Sequence, residues 1–253
     1  MINLVKKSPL NKEPGYVYSG LTFLMYPDLV KAKTGKQFDQ YLYHTFYRKI
    51  GANNLVFNPL ERINATDIIP TEQDDFFRHQ LVQGTVHDEA AAMLGGLSSN
   101  AGLFGNASDL AKLLQLYLNK GSYGGEQFIE PSTIQEFTQC QFCEEGNRRG
   151  LGFDKPLIEY DEAKAYVAKS ASKYSYGHSG FTGTFFWLDP AEDLMFIFLS
   201  NRVYPTRNNR HLYKLNIRPR LHQAAYDAIY EFDKLKQQEA NNKGDKKHYK
   251  ERE

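Results

Sequence analysis

Apolar positions recur every three to four residues over most of the chain and close up into strand-like runs near its end, so helices are expected first and strands late. Residues 21–49 read as an interrupted helix. Leu21, Phe23, Leu24, Leu29 and Val30 form one face, Pro27 kinks or restarts it, and Gly35 separates a second run carrying Phe38, Tyr41, Leu42 and Phe46. Residues 51–90 are irregular, with turns at Asn58-Pro59 and Pro70-Thr71. Leu110, Leu113, Leu114, Leu116 and Tyr117 mark a helix with Asn106 as its N-cap, Asp109 in its first turn and Gly121 as its stop. A short helix runs from Pro131 through Phe137. Residues 184–188 and 194–199 are strands joined by the hairpin-length loop 189–193, and the second, apolar throughout, is expected to be buried on both faces. Pro219 opens a last helix whose stripe of Leu221, Ala225, Ala228, Phe232 and Leu235 should lie on the sheet. Residues 237–253 are charged and lack apolar anchors. They are expected to form a frayed or disordered tail behind a domain covering 1–236.

Composition narrows the function classes. A chain of 253 residues that is 41% hydrophobic can bury a core, and a net charge of +1 gives no field for nucleic acid or an anionic membrane. No apolar run approaches the ~20 residues that span a bilayer. The start, Met1 to Pro9, lacks a signal-peptide layout, so the chain as it stands is expected in the cytoplasm; within a longer exported parent it would belong to the periplasm or cell envelope. Cys140 and Cys143 have no second pair to complete a zinc site and read as two thiols at a helix end. Arg148 and Arg149 read as a solvated turn. His87 and Asp88 could border a pocket, although Asp88 fits equally well as a loop cap.

Two motifs carry the candidate chemistry: Tyr18-Ser19-Gly20 near the start, and His178-Ser179-Gly180-Phe181-Thr182-Gly183 just before the strand pair. Between and after them come Val86-His87-Asp88-Glu89-Ala90, Leu94-Gly95-Gly96-Leu97, Asn100-Ala101-Gly102-Leu103-Phe104, Asp109-Leu110-Ala111 and Ser200-Asn201-Arg202-Val203-Tyr204-Pro205. In this order the series resembles the penicillin-binding-protein-like serine hydrolases, the group that includes class C β-lactamases. It is especially similar to the version fused behind a glycoside hydrolase family 3 N-acetylglucosaminidase module.

The resemblance implies an α+β fold of the β-lactamase/transpeptidase type, an antiparallel sheet flanked by helices plus a helical subdomain, with the family's N-terminal part missing. It implies an acyl-enzyme mechanism in which Tyr18 is the general base and His178 stands where β-lactamases carry lysine. A free tyrosine has a pKa near ~10, so such a base needs a cation beside it. The backbone N–H of Phe181 would form half of an oxyanion hole, with Ser179, Gly180 and Gly20 on the substrate side. Gly20 departs from the pattern, which has Asn or Asp there. The nucleophile motif Ser-x-x-Lys is expected upstream of Tyr18, where it does not occur. The one literal match, Ser170-Ala171-Ser172-Lys173, lies too close to His178 for a helix and crossover and reads as coincidence.

The chain is therefore expected to be the C-terminal portion of a β-lactamase-related hydrolase of amide or ester bonds, plausible in cell-wall peptide metabolism and inactive alone. The alternative is a non-catalytic module that binds peptidoglycan-type ligands or a protein partner. Expected partners are a small-molecule or peptide substrate and a complementing N-terminal segment or upstream glycosidase module. No metal or organic cofactor is implied.

Overall fold

The computed structural model describes residues 2–10, 12 and 15–250, with side chains as far as Gln238. After α1 (Ile2–Lys6), a 3₁₀ turn at Phe23–Met25 leads into α2 (Tyr26–Thr34), with Pro27 in its first turn and Gly35 closing it at φ 71°. Proline thus restarts the helix, since its missing N–H is no loss in a first turn. Then come α3 (Phe38–Leu42), a π turn over Tyr43–Tyr47, the hairpin β1 (Glu72–Asp74) and β2 (Gln80–Val82), and α4 (Glu89–Met93). The Asn106 carboxamide caps α5 (Ala107–Leu118) by accepting the Asp109 N–H at 2.8 Å. Asp109 also ties α5 to the preceding loop, accepting from the Asn54 N–H at 2.8 Å and from Lys112 at 2.8 Å. The small hairpin β3 (Ser122–Tyr123) and β4 (Glu126–Gln127) and helix α6 (Pro131–Thr138) complete this helical region.

The main sheet is antiparallel, in the order β5 (Tyr176–Ser179), β6 (Phe185–Asp189), β7 (Leu194–Phe198). Its side chains alternate between two layers, as a pleated strand requires. Tyr176, Phe186, Leu188, Met195 and Ile197 pack with Leu110 and Leu114 of α5. Phe185, Trp187, Phe196 and Phe198 form the opposite layer with Val167 and Tyr166. After α7 (His211–Lys214), helix α8 (Ile217–Lys250) covers this second layer.

Three expectations change. β7 is half-buried along its length rather than buried on both faces, because it is the edge of the sheet. Helix α8 packs through Arg218, His222 and Tyr226, one turn apart, rather than through the stripe expected from periodicity. Leu221, Phe232 and Leu235 are 46%, 56% and 53% exposed. The polar side chains win because the sheet offers them specific partners: His222 stacks on Phe196 at 4.8 Å, and the Tyr226 hydroxyl donates to Asp189 at 2.7 Å. Cys140 and Cys143 are joined by a disulfide rather than being free thiols. The backbone of α8 continues into the 237–253 stretch as far as Lys250; the rest of what that stretch was expected to do lies outside the described residues.

Candidate active site

The site is built where β5 meets the segment before α2. Gly177 of β5 lies opposite Trp187 and is bridged on its other side to Asp154, with N–H···O distances of 2.8 and 3.0 Å. A Cβ there would run into the Phe186 carbonyl and the Trp187 ring, so only glycine fits. Gly183, at φ 107°, closes the turn into β6 in a conformation that other residues avoid. Between these two glycines the strand presents His178.

The His178 ring is fixed on both edges. Arg149 can only donate, so its guanidinium 2.9 Å away requires Nε2 to accept; Nδ1 then carries the proton and faces the Ser179 carbonyl at 3.0 Å. Burial and then the Arg149 charge push the imidazole below its ordinary pKa, opposed by Asp154 and the Ser179 carbonyl. His178 is therefore neutral at pH 7. Tyr18 is 62% exposed, with its ring centroid 6.4 Å from that of His178 and 4.9 Å from the Arg149 guanidinium. Tyr16, Tyr18, Asn147, Arg148 and Arg149 line a cleft of about 410 Å³.

Arg149 corrects the sequence reading of a solvated turn. Arg148 and Arg149 both pair with one carboxylate, Asp154, at 2.9 and 3.0 Å, and Glu145 adds a second carboxylate to the cleft wall. Nothing in the local sequence marks Arg149, because its role depends on a strand and a loop remote from it in the chain.

The remaining candidates are spread around this centre. Phe181 stacks on His87 at 5.6 Å and under Arg202 at 4.8 Å, and its backbone N–H meets no acceptor among the described residues. His87 is held by Glu72 at 2.7 Å, and Glu72 is also gripped by Arg207. Asp88 caps α4, accepting the Ala91 N–H at 2.8 Å. Gly20 is not in the left-handed region, and a Cβ on it would sit 3.7 Å from Asn100, an ordinary contact. The 170–173 segment is turn and loop rather than a helix start, so Ser170 and Lys173 share no helical face, and the Ser170 hydroxyl accepts from the Gln223 side chain at 2.7 Å.

The family model for β-lactamase matches residues 1–217. The chain belongs to the β-lactamase family. Among curated β-lactamase-family relatives, an Escherichia coli K12 protein carrying the provisional name D-alanyl-D-alanine carboxypeptidase is 32% identical over 217 residues, covering 80% of this chain and 49% of the relative. The chain thus spans about half the length of the curated relatives it matches. Solved structures of this β-lactamase fold include a simvastatin synthase mutant from Aspergillus terreus, with TM-score 0.62 at 16% identity, covering 89% of this chain and 58% of that one. Another is a β-lactamase from Mycobacterium bovis, with TM-score 0.55 at 18% identity, covering 84% and 64%.

Among the described residues, no helix is long and apolar enough to cross a membrane.

Proposed function

We propose that this chain supplies the proton-moving and carboxylate-binding side of a serine hydrolase that cleaves amide or ester bonds in peptides with a free C-terminal carboxylate. Peptides ending in D-alanyl-D-alanine are the first class to test. One observation carries the reading: Arg149 lies against the Tyr18 ring on the cleft wall and, behind it, meets the neutral His178. A neutral histidine is a weak anchor for an anion, and the adjacent guanidinium is a stronger one, because it is permanently charged and keeps N–H donors to spare after meeting Asp154 and His178. With no Ser-x-x-Lys in a helix, the chain by itself binds such a peptide and does not turn it over.

Calorimetric titration with an N-acetylated peptide ending in D-alanyl-D-alanine tests this. The acid form should bind, while its C-terminal amide, or the acid form with Arg149→Ala, should bind about tenfold or more weakly, as expected for one charged hydrogen-bonded contact. Equal binding of acid and amide sinks the carboxylate assignment. Hydrolysis of an activated ester by the chain, lost on Tyr18→Phe, would instead give it a working nucleophile. A second reading, binding of peptidoglycan-type ligands without turnover, is favoured by Gly20, which brings no side chain to the site.

A further inference from the structure

The sheet separates two sets of charged groups. His178 pairs with Phe186, whose side chain joins the α5 layer; Phe185, one residue earlier, belongs to the α8 layer. Over Phe185 lies Arg218, in the first turn of α8, with its guanidinium 5.6 Å from that ring and 5.3 Å from the ring of Tyr213. Arg218 is 5% exposed, and among the described residues it makes neither a hydrogen bond nor an ion pair. Its Nη1 is buried without a partner. By contrast Arg78, Arg148, Arg149 and Arg207 each meet a carboxylate.

Two neighbours also carry unpartnered polar atoms, although the Arg202 Nη1 donates to the Asn209 carbonyl at 2.8 Å. Arg202 places its guanidinium 4.7 Å from the same Tyr213 ring and has a buried, unpartnered Nε, while Ser200 has a buried, unpartnered hydroxyl. A side chain on Gly183 would meet both Ser200 and Arg202, so these two are adjacent. The first turn of α8 carries no acidic residue. Two guanidiniums around one ring, a free hydroxyl and the positive end of a long helix form a cationic nest that meets no carboxylate among the described residues, and burying an unpaired cation is costly.

We infer that Arg218, Arg202 and Ser200 form a binding site for an oxyanion, on the face of the sheet opposite His178 and distinct from the cleft. Guanidinium forks and a hydroxyl suit a phosphate or carboxylate group, which accepts through two oxygens at once. The Arg202 N–H donates to the Thr182 carbonyl at 2.9 Å, and its guanidinium covers Phe181. An anion held there braces the turn that carries Phe181.

The test is thermal melting of the whole chain at pH 7 and constant ionic strength, with chloride exchanged for inorganic phosphate or for acetate. Wild type should gain about 2 to 4 °C, saturating with anion concentration. A response to phosphate alone identifies a phosphate-type ligand, and a response to acetate identifies a carboxylate. Arg218→Met keeps the length and apolar stem; it should lose the response and melt at least as high as wild type in chloride, because an unpaired buried charge is gone. An equal response in the variant, or a rise that grows without saturating, overturns the site. So does an Arg218→Met chain that melts lower in chloride or fails to fold, because the guanidinium would then already have its partner within the protein.

Discussion

At the scale of single residues, the site depends on a few positions where side chains are forbidden or fixed. Gly177 and Gly20 make opposite predictions. Gly177→Ala drives a methyl into the Phe186 carbonyl and the Trp187 ring, and should cost about 2–4 kcal/mol in denaturant unfolding. Gly20→Asn meets only Asn100 at ordinary contact distance and should leave stability within about 0.5 kcal/mol. A Gly20→Asn chain destabilised as much as Gly177→Ala would mean that position 20 is held for packing. The sequence marks Tyr18 and His178, because each sits in a motif of the ordered series that resembles the serine hydrolases. It does not mark Arg149. That side chain matters through nearby Asp154 and through His178 and the Tyr18 ring, which the fold brings to it from separate segments.

At the scale of elements, caps and breakers were legible and faces were not. Asn106, Pro27, Gly35 and Pro131 act locally, through backbone donors and φ, so their effects can be read without knowing the fold. The choice of face on α8 is not local. Its apolar stripe competes with a polar row, and the row is chosen because Phe196 and Asp189 wait on the sheet. This choice has a pH signature. His222 is fully buried and accepts the Ala168 N–H, and burial, opposed by Asp189, lowers its pKa from the usual histidine value to about 4. An unfolded histidine titrates near ~6.5, so between these values the unfolded chain binds more protons than the folded one. The stabilisation is complete above about pH 6.5, declines as the pH falls, and levels off below about pH 4. Melting temperature measured across this range should fall more steeply for wild type than for His222→Gln. Matching slopes would assign the acid limb to other groups.

At the scale of the whole molecule, the helix–sheet–helix order was legible because the change from helical to strand spacing is spread over many residues. The exposure of β7 and of the outer face of α8 was not, because a sequence does not say which strand is the edge. Leu221, Phe232 and Leu235 support no core in this chain, so replacing all three with serine should leave the melting temperature within about 2 °C while reducing association in sedimentation runs. A large fall in melting temperature would show that the stripe is covered. The placement of the cleft has a consequence for how the chain comes to be folded. The hairpins β5–β6 and β6–β7 join neighbours in sequence and can pair early, whereas Tyr18 meets Arg149 and His178 only after most of the chain has been closed into a loop. The cleft is therefore among the last features to form during synthesis. A nascent chain stalled on the ribosome before β5 emerges lacks His178 and the strand that braces Asp154 and Arg149, so capture by a cleft ligand should strengthen once β5 is out.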